Sequence, residues 1–132
     1  MTGEQLELGL EFPEPRSTRW SQVRIAMEAI RERRRQDDKW GRQDHPFFSY
    51  FGGLQRTDNK LYETLEATYK WKNQVACSER GEVGWDTILL EEVFEALAKA
   101  GVDDVEYEKE LVQVIAVAMH MIEANQRRRN DV

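Results

Sequence analysis

The stretch ILLEEVFEALAKAGVDDVEYEKELVQ, residues 88–113, decides the fold of this chain. Leu89, Leu90, Val93, Ala96 and Leu97 recur at helical spacing and mark one apolar stripe from Ile88 to about Lys99. Asp86 or Thr87 is a suitable cap, and Gly101 is a suitable stop. Asp103 or Asp104 then opens a second helix that reaches about Arg127. On the first helix Glu91, Glu92 and Glu95 share a face about 100° wide beside the apolar stripe. On the second, Glu110, Gln113, Val117 and His120 lie within about 80° of one another. Leu111, Val114, Ile115, Ala118, Met119 and Ile122 cover most of the remaining circumference. A helix apolar nearly all round is expected to be buried.

Upstream, two more helices are legible. Ser17 or Thr18 offers an N-cap for a helix from about Arg19 to Asp37, with Trp20, Val23, Ala26, Met27 and Ile30 as its stripe. It ends in RERRR at 31–35, a run that reads as a solvated helix end. Another helix spans Leu61 to Glu79 through Leu65, Thr68, Tyr69, Lys72 and Ala76, with Asp58 or Asn59 as cap and Gly81 and Gly84 as breakers. No segment alternates with period two. Four helices with short connections between the last three predict an all-α four-helix bundle.

Residues 38–59 follow no period and are punctuated by Gly41, Pro46, Gly52 and Gly53. They nevertheless hold Trp40, Phe47, Phe48, Tyr50 and Phe51. Long idle loops are uncommon in compact domains. Two readings stay open: a loop folded over the end of a bundle, or a lid over a ligand. Residues 1–15, with four acids and Pro13 and Pro15, read as a mobile tail, or an arm that orders on a partner, ahead of one domain over 16–132.

Composition narrows the function classes. The chain has 132 residues, 40% hydrophobic and 33% charged, with a net charge of −6. That balance argues against a general nucleic-acid binder, including one working through RERRR. The longest apolar run, Val114 to Met119, is far too short for a membrane span. The acidic start is the reverse of a secretory signal, so a cytoplasmic protein is expected. The single cysteine, Cys77, excludes an intramolecular disulfide and reads as structural.

The glutamates admit two readings. They are either the wet side of an amphipathic helix, with Glu95 pairing to Lys99, or the acidic stripes of a helical hairpin facing each other. Carboxylates brought within about 6 Å repel by roughly 3 kcal/mol per pair at an effective dielectric near 20. Such a cluster needs a cation, and Mg²⁺ suits hard oxygen ligands. Periodicity alone does not choose.

EEVFE at 91–95, followed after fourteen residues by ELVQ at 110–113, resembles the EExxE…ExxD signature of the MazG-like family of all-α nucleoside triphosphate pyrophosphohydrolases. WDTILLEEVFEALA and KWGRQDHP at 39–46 look like a phage and actinobacterial branch of that superfamily, and the likeness covers about residues 20–125. The resemblance implies a Mg²⁺-dependent hydrolase, with Mn²⁺ as the alternative metal, that converts a ribo- or deoxynucleoside triphosphate to monophosphate and pyrophosphate. It implies Glu92, Glu95, Glu110 and, at the fourth family position, Gln113 as metal ligands, with Glu91 nearby as a support or further ligand, and Glu91 or Glu92 as the proton acceptor. The family aspartate is Gln113 here, which removes one negative charge and leaves a neutral carbonyl oxygen. That departure keeps a second reading open: a catalytically impaired helical module binding a nucleotide or a protein partner.

Trp40 is the expected stacking partner for the base, with Lys39 and Arg42 near the phosphates and His45 on phosphate or base. Trp71 and Trp85 read as core, and His120 as a satisfied buried histidine. The apolar last helix, and the family's habit of pairing bundles, predict a homodimer or homotetramer.

Overall fold

The computed structural model describes residues 18–48, 50–51, 54–55 and 59–130. Its helices are α1 (Thr18–Trp40), α2 (Lys60–Arg80), α3 (Trp85–Lys99) and α4 (Asp104–Asn130). The all-α, four-helix reading holds. A two-residue antiparallel pair, β1 (Tyr50–Phe51) with β2 (Leu54–Gln55), lies between α1 and α2. Two residues per strand are too few to show a period in sequence, which is why alternation did not reveal them. Among the described residues no helix is long and apolar enough to cross a membrane. The acidic tail and the Ser17 cap fall outside the described residues.

The chain groups into two compact units, one holding residues up to Gln43 together with those from Ile122 onward, the other Asp44–Met121. In the first, α1 lies against the C-terminal turns of α4, where the Ser21 hydroxyl donates to Glu123 at 3.3 Å. The buried side chain on α1 is Ile25. It stands off the expected stripe, flanked by Ser21, Arg24 and Glu28, so its polar neighbours hid the packing face. The RERRR segment is self-neutralising and solvated, as expected: Arg31 pairs with Glu28 at 2.7 Å, Arg33 with Asp37 at 2.8 Å, and Arg35 with Glu32.

α1 runs to Trp40, three residues past the expected end, so Trp40 closes a helix and is not part of the aromatic loop. The irregular segment begins at Gly41, whose φ of 68° is a left-handed value that glycine adopts without a Cβ clash.

The second unit is built on an antiparallel pair, α2 against α3. Phe94 of α3 meets Tyr69 at 5.4 Å and Tyr62 at 6.3 Å between ring centres. Asn73 donates to the Thr87 carbonyl at 3.1 Å near the other end of the pair. The aromatic loop contributes two rings to the same packing. Phe48 stacks on Tyr62 at 5.4 Å, and Phe47 meets Tyr107 edge-on at 5.6 Å. Those two side chains cover helix ends.

Helix ends depart from expectation in two further places. α3 starts at Trp85, with Gly84 as N-cap; Asp86 and Thr87 lie inside the first turn, where the Thr87 hydroxyl donates to the Gly84 carbonyl. Asn59 precedes α2 but does not cap it by its side chain. Its amide instead donates to the carbonyls of Leu97, Ala98 and Ala100, at 3.3, 3.1 and 2.8 Å. Asparagine thus closes the C-terminal end of α3, satisfying carbonyls that a helix end leaves open. Asp103 caps α4 as expected, accepting from the Glu106 amide at 3.1 Å.

Several apolar side chains expected inside are exposed. No described residue of α2 or α4 is fully buried. Trp71 is 61% exposed and Trp85 40%, so neither tryptophan is core. His120 is exposed rather than buried, and lies in a stack with Trp85 at 6.2 Å. Cys77 is also exposed, which removes the structural role expected of it.

Candidate metal centre

Glu92 and Glu95 lie one turn apart on α3, and Glu110 lies in the second turn of α4. The connection at 100–103 is short: the Val102 and Asp103 amides both donate to the Lys99 carbonyl, and Gly101 takes a φ of 74°. That reversal returns α4 alongside the acidic face of α3. One carboxylate oxygen from each of Glu92, Glu95 and Glu110 lies within 4.8 Å of the others, and all three residues are half-buried. Of the two open readings, the facing acidic stripes are what the chain forms.

Crowded acids in a partly dry place resist ionisation. Burial first, then the charges of Glu110, Glu92 and Glu66, pushes the Glu95 carboxyl up to about 7, against the opposing pull of Lys70. Glu92 is raised as well, by burial and then by Glu110 and Glu91, while a hydrogen bond with Glu95 and the charge of Lys70 pull it back.

These donors fit a divalent cation. All are hard oxygens, and ligands across such an ion stand about 4–5 Å apart, twice a bond of about 2.0–2.6 Å. Bound there, an ion would replace the mutual repulsion that now raises Glu92 and Glu95.

Glu66 and Lys70 are the members that sequence reasoning missed. They sit on α2 as an i, i+4 pair at 3.7 Å, with the Glu66 side chain only 21% exposed. The available signal was position: Glu66 borders the Leu65 and Tyr69 stripe that packs on α3, just as Glu92 and Glu95 border theirs.

The remaining expected residues stand as follows. Glu91 is half-buried on α3, beside Glu92 but outside the triad. Gln113 is exposed, one turn beyond Glu110 on α4. Lys39, Trp40 and Arg42 belong to the first unit and His45 to the second. Trp40 is 63% exposed, and the Lys39 ammonium lies 4.7 Å from the centre of its ring. Searches against protein-family models, curated proteins and solved structures find no match to this chain.

Proposed function

We propose that this protein is a Mg²⁺-dependent nucleotide pyrophosphohydrolase of the MazG-like, all-α type, with Mn²⁺ as the alternative ion. The observation that carries the reading is the convergence of Glu92, Glu95 and Glu110 from two helices. It accompanies the spacing of EEVFE at 91–95 and ELVQ at 110–113.

In this reading Glu92, Glu95 and Glu110 hold the cation. When bound, it offsets phosphate charge and lowers the pKa of water. The chain's own groups then act on a nucleoside triphosphate. Water attacks the α-phosphorus, and the bond from that phosphorus to the bridging oxygen breaks. The products are nucleoside monophosphate and pyrophosphate. Glu91, or Glu92 where it is not fully engaged, accepts the proton released by the attacking water. Lys70 contributes a positive charge on the α2 side, where its field already acts on Glu92 and Glu95. His45, in the same unit as the triad, contacts phosphate or base. The resemblance gives base stacking to Trp40 and attraction of phosphate to Lys39 and Arg42.

Gln113 favours a second reading, a catalytically impaired module that binds a nucleotide or protein partner. Its amide supplies no charge and takes no proton at pH 7. The deciding experiment is pyrophosphate release from ribo- and deoxynucleoside triphosphates by wild type, Gln113→Asp and Glu95→Ala across a Mg²⁺ titration. Activity in wild type, abolished in Glu95→Ala and shifted to lower Mg²⁺ in Gln113→Asp, supports the hydrolase. Wild type and Glu95→Ala equally inert, with activity gained in Gln113→Asp, supports the module.

Self-association belongs to the same proposal. The exposed Leu111, Val112, Ile115 and Ile122 on α4 support a homodimer or homotetramer.

A further inference from the structure

The first unit holds a cavity of about 510 Å³ between α1 and the last turns of α4, sharing no residue with the glutamate triad. Among the described residues its wall carries three guanidinium side chains, Arg24 and Arg31 from α1 and Arg129 from α4, and one carboxylate, Glu28. Glu28 is already engaged by Arg31 at 2.7 Å. The other acid on this side, Glu123, accepts from Ser21 at 3.3 Å and pairs with Arg127 at 3.5 Å. Arg24 and Arg129 make no ion pair with any described residue. In a chain of net charge −6, the described lining of this cavity is therefore positive.

Charge is only half of the arrangement. Trp20 lines the same cavity and supplies a flat, apolar wall, and Asn130 adds an amide that can both donate and accept. Guanidinium groups recognise phosphate through paired N–H donors, and indole rings stack on heteroaromatic bases. A hollow of a few hundred cubic ångströms matches a small ligand rather than a polymer.

The geometry points to a second ligand site in this cavity, for a nucleoside phosphate. Its phosphates sit against Arg24 and Arg129, and its base lies on Trp20. The assignment uses neither the glutamates nor a divalent cation, so it stands or falls apart from the hydrolase reading.

The test is isothermal titration calorimetry of the full chain in EDTA with ADP, GDP, CDP and UDP as separate probes. Chelation removes any cation from the glutamate cluster, which then offers phosphate no attraction. At least one diphosphate should bind, while its parent nucleoside binds far more weakly. The double variant Arg24→Gln with Arg129→Gln should weaken that binding by at least about tenfold, the scale of losing charge-assisted contacts to phosphate. Glu28→Gln, which removes the acid among the described wall residues, should tighten it, and Glu95→Ala should leave it unchanged. Far-ultraviolet circular dichroism checks that each variant keeps its helices. The proposal is overturned by no binding of any diphosphate, by equal binding of nucleoside and nucleotide, or by a folded double variant that binds like wild type. Tighter binding of a single-stranded oligonucleotide than of any mononucleotide overturns it too, in favour of an open nucleic-acid surface.

Discussion

Among single side chains, Glu95 concentrates burial and like charge, and its titration has a thermodynamic consequence. Its folded value of about 7 lies above the ordinary 4.5, so between those two pH values the folded chain keeps a proton that the unfolded chain has released. The associated stability is fully present below about pH 4.5 and is lost as pH rises through about 7. Glu92 is shifted in the same direction. In EDTA, the wild type should therefore lose stability from this source between pH 5 and pH 8. Glu95→Gln keeps the shape and removes the charge, so it should flatten that trend and gain about 1 kcal/mol at pH 8, solvent screening included. Urea unfolding of both proteins at the two pH values checks this, and an identical pH trend would refute it. Saturating Mg²⁺ at pH 8 should instead favour wild type, because an ion that binds only the folded state adds stability by mass action. At the same scale, Trp40→Ala should weaken nucleotide binding by about 1–3 kcal/mol if the exposed indole carries the base. Unchanged affinity would withdraw the stacking role.

At the scale of helices and turns, the α3–α4 reversal sets the distance between the glutamates, and two residues hold it. Asn59 closes the end of α3 through three carbonyls, and Gly101 turns the chain at a φ of 74°. A Cβ on Gly101 would also stand 3.3 Å from the Phe47 ring. Asn59→Ala should cost about 1–2 kcal/mol, from lost hydrogen bonds and unsatisfied carbonyls. Gly101→Ala should cost a similar amount, about 1–2 kcal/mol, from left-handed strain and crowding. Each should raise the Mg²⁺ concentration needed for half-maximal stabilisation, measured as the shift in thermal midpoint; variants that lose stability but bind the ion as wild type does would separate the turn from the site. Much of this element was readable in sequence, because EEVFE and ELVQ carry helical periods and Asp103 is a local cap. The role of Asn59 was not, since its partners lie some forty residues downstream and local pattern sees only the helix that follows. Glu66 escaped for the same reason: its meaning comes from α2 packing on α3. Trp40 was misplaced because two polar residues, Asp38 and Lys39, carry α1 past Asp37 without adding to its apolar stripe. Trp71, Trp85 and His120 were assigned inward by residue type, which holds only where a helix has cover on that side.

At the scale of the whole molecule, the question is what covers α4. Leu111, Ile115, Ala118 and Ile122 follow one another at steps of four, three and four residues, so they form a single seam along the helix. Within one chain that seam is wet: Ile115 is 57% exposed, and Leu111 and Ile122 are also exposed. Scattered apolar residues on a surface need no explanation, but a continuous seam on a long helix does. A second copy is the partner that the proposed homo-oligomer supplies, with α4 packed on α4 about a two-fold axis. A stable interface of this kind removes about 1,200–2,000 Å² from solvent, so it would extend past the seam onto neighbouring residues. Each chain carries −6, so like charge opposes association, and added salt should strengthen it by screening. Ile115→Glu places a carboxylate in the middle of the seam, and two-fold symmetry would bring that charge close to its own copy. Sedimentation equilibrium at micromolar concentration should give a dimer or tetramer for wild type and a monomer for Ile115→Glu. Circular dichroism on the variant should show the helices retained, because residue 115 contributes little to packing inside one chain. A monomeric wild type, or an Ile115→Glu protein as associated as wild type, would remove α4 as the interface.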